Sequence, residues 1–99
     1  MTSQTSTAEQ GGGTQEVTVR VEGGYSPSTV RVRAGRPVRL TFDRQETSGC
    51  SAVVQIPELG IRTQLPAFEA TTVEFTPERP GTYEFACGMN MLSGRIVAD

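Results

Sequence analysis

Tyr83-Glu84-Phe85-Ala86-Cys87-Gly88-Met89-Asn90-Met91-Leu92-Ser93-Gly94-Arg95-Ile96-Val97 is the stretch from which the rest of this chain is best read. Tyr83 and Phe85 alternate with Thr82, Glu84 and Ala86, the period of a strand with one face buried. Gly88 breaks the pattern, a thiol and two thioethers fall within the five residues Cys87–Met91, and strand character resumes through Ile96. Sulfur side chains on a short loop between strands serve either as core filling or as metal ligands. Soft donors of this kind select soft ions, above all Cu(I).

Outward from that stretch the chain is a series of short alternating segments. Glu16–Val21 carries Val at every second position, and Glu22-Gly23-Gly24 ends it with turn residues. Thr29–Arg33 alternates again, with Arg31 and Arg33 expected outward. Ala34–Pro37 turns, and Val38, Leu40 and Phe42 mark one face of a third strand. Asp43–Gly49 reads as a polar loop, with Asp43, Glu46 and, further on, Glu58 as solvated carboxylates. Strands are expected at Cys50–Ile56, Ile61–Leu65 and Thr71–Phe75, separated by Pro and Gly. No helical period of 3.6 persists. The pattern predicts an all-β protein, an antiparallel Greek-key β-sandwich of seven or eight strands.

Residues 1–15 form a polar Ser/Thr/Gln/Gly tract, read as a flexible tether, and residues 16–99 as the folded domain. A tether at the start of a chain suggests an anchor that is missing here, with an added start Met. That reading places the domain outside the cytoplasm, in the periplasm or cell envelope, tethered to a membrane; without such an anchor the chain reads as cytoplasmic. A body of roughly 85 residues buries only about 60–65% of its unfolded surface, so a disulfide or metal would help it. The net charge of −2 and pI near 5.1 leave no electrostatic footprint for nucleic acid. The chain has two Cys and no His. It therefore offers no imidazole ligand, no His general base and no Ser-His-Asp triad. With no acid–base pair, nucleophile elbow or phosphate loop either, it does not read as an enzyme.

The residues left to carry chemistry are Cys50, Cys87, Met89 and Met91. Cys50 follows a polar loop at a strand start, and Cys87 ends a strand before a loop. In a sandwich whose loops cluster at two ends, such positions can share a pole. There the two Cys either pair as a disulfide, which stabilises by about 2–4 kcal/mol, or act as thiolates. With Met89 or Met91, two thiolates make a soft site for Cu(I) and a poor one for Mg²⁺ or Ca²⁺.

From about Val17 to Val97 the chain resembles the cupredoxins, the small copper-binding β-sandwiches, and especially the cupredoxin-like domains of bacterial copper handling. The resemblance rests on Tyr25-Ser26-Pro27, on Val30-Arg31-Val32-Arg33-Ala34-Gly35-Arg36-Pro37-Val38-Arg39-Leu40-Thr41-Phe42, on Gly81-Thr82-Tyr83-Glu84-Phe85-Ala86-Cys87 and on Gly94-Arg95-Ile96-Val97. It implies that Cys87 stands at the family's copper-thiolate position and Cys50 where the family has its first histidine. Met89 and Met91 fall in the loop that supplies a second histidine and an axial methionine. A blue-copper centre uses two imidazoles, and this chain has none to give. The implied function is thus Cu(I) binding for storage, delivery or resistance, with a copper-donor or copper-acceptor protein as partner. An electron carrier of cupredoxin type and a metal-free, disulfide-stapled interaction module are the alternatives.

Overall fold

The structure, a computed structural model, describes residues 5–7, 14–47, 49–88 and 92–99, with the backbone alone at 5–7 and at Cys50. Ten strands are present among them: β1 (Thr5–Thr7), β2 (Gln15–Val21), β3 (Tyr25–Ser26), β4 (Thr29–Val32), β5 (Val38–Arg44), β6 (Val53–Ile56), β7 (Ile61–Gln64), β8 (Ala70–Phe75), β9 (Gly81–Cys87) and β10 (Ser93–Ala98). Two 3₁₀ turns, Gly49–Ala52 and Pro57–Leu59, precede and follow β6. One sheet has the order β1-β4-β10-β9-β6-β7 and the other β3-β2-β5-β8. The expected all-β sandwich is there, and its sheets are mixed: β2 runs parallel to β5, and β4 parallel to both β1 and β10. Of the stretch expected to be a tether, Thr5–Thr7 lies beside β4 as a three-residue edge strand. Residues 1–4 and 8–13 lie outside the described residues.

The alternation read from the sequence becomes the core. β2 is buried at every second residue from Gln15 to Val21, and β5 likewise from Val38 to Arg44. Val19, Val21, Val30, Leu40, Ile56 and Ile96 are closed off from solvent between the sheets. At the centre Tyr25, Phe42 and Phe85 meet edge to face, with centroids 4.8 Å apart for Tyr25–Phe85 and 5.5 Å for Phe42–Phe85. Such geometry sets ring edges against ring faces and adds about 0.5–1.5 kcal/mol per pair to the burial. Arg31 and Arg33 are exposed, as expected. On the wet face of the second sheet Glu16, Arg39 and Glu74 lie in register, with Arg39–Glu74 at 3.2 Å.

Gln15 is a buried amide that begins β2 and is only 1% exposed. Its Oε1 accepts the Arg33 N–H at 2.7 Å and its Nε2 donates to the Arg33 carbonyl at 3.0 Å, clipping the turn before β5. Gln15→Ala removes both of these part-buried hydrogen bonds to the Arg33 backbone, at a cost of about 1–3 kcal/mol. Chemical denaturation is expected to show a lower midpoint at unchanged slope. An unchanged midpoint would mean that the turn holds itself.

Candidate metal centre

β9 ends at Cys87, whose neighbour across the sheet is Val54, one residue into β6. The Gly88 N–H donates to the Val53 carbonyl at 3.0 Å, so the chain beyond Cys87 is tied to the first residue of β6. Immediately before that residue lies the Gly49–Ala52 turn, which contacts β9. The backbones of Cys50 and Cys87 thus come to the same end of the sandwich. Cys50 does not begin a strand as the sequence suggested; it sits in the turn that leads into one.

The Cys87 side chain is buried. Its N–H donates to the Leu92 carbonyl at 3.0 Å, and its Sγ accepts the Leu92 N–H at 3.4 Å. The two bonds bring the loop between β9 and β10 back on itself at its base. The thiolate is the metal-binding form of such a side chain. Met89 and Met91 lie on that loop, outside the described residues, as does the Cys50 side chain. Among the described residues no three His, Cys, Asp or Glu side chains come together.

Sequence reading missed the group beneath the Cys50 turn. Residues 43–49 were expected as a solvated loop, yet β5 continues through Arg44, which is buried. The signal was present: Val38, Leu40, Phe42 and Arg44 keep the two-residue period. Arg44 Nε donates to the Ser51 hydroxyl at 3.0 Å and Nη1 to the Leu65 carbonyl at 2.7 Å. Glu46 is half-buried, with Oε1 accepting the Gly23 N–H at 2.7 Å. The Ser51 hydroxyl first, then that N–H and the Arg44 charge, hold the Glu46 carboxyl below its ordinary value, against the opposing effect of burial. The next loop carries Phe68, 63% exposed and in the left-handed region at φ 59°.

The Glu46 arrangement has a testable sign. A carboxyl whose value is lowered by folding stabilises the protein above its unfolded value of 4.5 and loses that contribution as pH falls below it. Thermal melts between about pH 6 and about pH 3 are expected to fall less steeply for Glu46→Gln than for the parent. Parallel curves would remove Glu46 from the acid response.

A two-sheet sandwich of this strand order, with a buried cysteine closing β9, is of the cupredoxin type. The chain belongs to the cupredoxin-like domain family, which it matches over residues 1–98. It is similar to a copper binding protein solved in the apo form by NMR, at 40% identity over 94% of this chain and 95% of that one, with TM-score 0.89. It is also similar to the metal binding domain of the Cu(I) exporting P-type ATPase CopA of Streptococcus pneumoniae D39, solved with Cu(I). That match has 31% identity over 100% of this chain and 98% of that one, with TM-score 0.93. Auracyanin B, at 19% identity over 93% and 94% and TM-score 0.67, shares the fold. No curated protein matches the chain.

Proposed function

We propose that this domain binds Cu(I) through Cys50 and Cys87 with Met89, Met91 or both, and serves copper storage, delivery or resistance without catalysis. The observation that carries the reading is the convergence of the Cys50 turn and the Cys87 strand end, tied by the Gly88–Val53 hydrogen bond at 3.0 Å. Copper binding in the two relatives above 30% identity supports it. The donor chemistry fits the ion. Thiolate and thioether suit Cu(I), and the lack of imidazole removes the ligands that hold Cu(II) in blue-copper centres. What this chain's residues contribute is a buried sulfur with a backbone N–H on it and a short loop that returns to it. Binding displaces the thiol protons, so affinity rises with pH until both thiols are ionised.

A domain that holds copper in this way exchanges it with a donor or acceptor protein. We place it outside the cytoplasm, with the polar segment ahead of β2 as its link to a membrane. Among the described residues no helix is long and apolar enough to cross one.

The test is a titration of the reduced protein with Cu(I) against a chromogenic chelator. The protein is expected to take Cu(I) from the chelator; failure to compete overturns the reading. Two readouts separate the other functions. An intense visible thiolate-to-Cu(II) band under oxidising conditions would mark an electron carrier. Loss of both reactive thiols in protein purified without reductant would mark a Cys50–Cys87 disulfide and a metal-free module.

A further inference from the structure

Arg44 is a cation at a position where the period of β5 otherwise calls for an apolar side chain, and it is 5% exposed. A guanidinium is tolerated in such a place when its fixed fork of N–H donors is satisfied. Two of those donors reach the segments that carry the Cys50 side of the site. Nε binds the hydroxyl of Ser51, the residue after Cys50, and Nη1 binds the Leu65 carbonyl. Leu65 in turn donates its N–H to the Ala52 carbonyl at 2.7 Å. The result is a closed circuit, Arg44 to Ser51, along the turn to Ala52, across to Leu65 and back to Arg44. The main chain of Arg44 adds a bond to the Glu69 carbonyl at 3.1 Å, and Glu46 sets an opposing charge beside the guanidinium.

A single 3₁₀ turn of four residues has poor internal hydrogen bonding. Its geometry depends on contacts from outside, and this circuit supplies them. A lysine in the same place is a point charge and does not reproduce the fork that holds both acceptors.

We propose that Arg44 is a positioning residue for the metal site: through Ser51 and Leu65 it holds the Gly49–Ala52 turn, and with it the backbone of Cys50, in place before Cu(I) arrives. The inference rests on the Cu(I) reading above. A ligand backbone ordered in advance spares the ordering cost at binding. Partners that orient metal ligands typically weigh roughly 10–100-fold in affinity.

The experiment measures Cu(I) affinity by chelator competition on the full reduced chain as parent, Arg44→Met, Cys50→Ser and the double variant. Arg44→Met is expected to weaken binding roughly 10–100-fold in the parent and to add little in the Cys50→Ser background. A general loosening of the fold costs the same in both backgrounds, and that outcome overturns the proposal, as does unchanged affinity in Arg44→Met. Should Arg44→Met fail to fold, Ser51→Ala decides. It removes the Nε contact, together with the Ser51–Glu46 hydrogen bond, and leaves the Leu65 contact in place, and its smaller loss of affinity must also vanish when Cys50 is absent. Parent protein that does not compete, or Cys50→Ser that binds as tightly as the parent, overturns the Cu(I) reading itself. A normal Cys50 effect with no Arg44 effect overturns only the role of Arg44.

Discussion

Cys87→Ala is expected to weaken Cu(I) binding by at least about a hundredfold while leaving a folded protein. Structural Zn²⁺ sites with four ligands bind with about 10–16 kcal/mol, or about 2.5–4 kcal/mol per ligand. On that scale the loss of one thiolate corresponds to roughly a 70- to 1,000-fold change in affinity. Cys87 is the thiol with a defined surrounding: no exposed surface, and a backbone N–H on its sulfur. The loss of a single sulfur atom from the core costs on the order of 1 kcal/mol in cavity and contacts. Circular dichroism of the apo variant is therefore expected to match the parent. Binding that survives Cys87→Ala would move the metal elsewhere and end the sulfur-site reading.

The largest effects on stability are expected where β9 meets β10. Gly94 lies opposite Phe85 in the strand register, and the Phe85 ring passes directly over it. A Cβ on Gly94 would fall 2.7 Å from Phe85 Cε1, closer still to Cζ, and 2.8 Å from the Ser28 carbonyl oxygen. Two of these atoms belong to a core ring and one to backbone, so neither neighbour gives way easily. Overpacking of this kind costs about 1–3 kcal/mol and occasionally more, and about 3 kcal/mol is expected for Gly94→Ala. Phe85→Ala instead opens the aromatic centre and is expected to cost about 3–5 kcal/mol. At about 4–8 °C per kcal/mol for a domain of this size, either change lowers the melting temperature by more than about 10 °C. The two positions are coupled. Shortening the ring in Phe85→Leu removes the atoms that the new methyl meets, so Gly94→Ala is expected to cost clearly less in that background. Additive losses in the double variant would place the strain at Ser28 rather than at the ring. No loss in Gly94→Ala would contradict the packing itself.

Strand faces were legible because a two-residue period shows directly which side chains point inward, and the buried sets of β2, β5 and β9 follow it. The same rule, carried one step past Phe42, would have placed Arg44 inside. Its charge masked that, since isolated cations are rarely buried without partners. Those partners, Ser51 and the Leu65 carbonyl, lie 7 and 21 residues away in sequence. Glu46 was taken for a solvated carboxylate for the same reason: the groups that hold it are the Gly23 N–H and the Ser51 hydroxyl.

The sulfur-bearing residues, the absence of histidine and the sandwich class were thus determined by the sequence alone. Composition and alternation are local properties, and they limit the donor chemistry and the fold class without reference to any distant contact. Only the tertiary structure decided that β2 and β5 run parallel, that Cys50 sits in a 3₁₀ turn, and that this turn reaches the end of β9. Alternation tells which face of a strand is buried but not which strand lies beside it, in which direction, or which loops meet at one end. Those depend on how two sheets close over a shared core, where a buried guanidinium finds its acceptors and a glycine finds the ring above it.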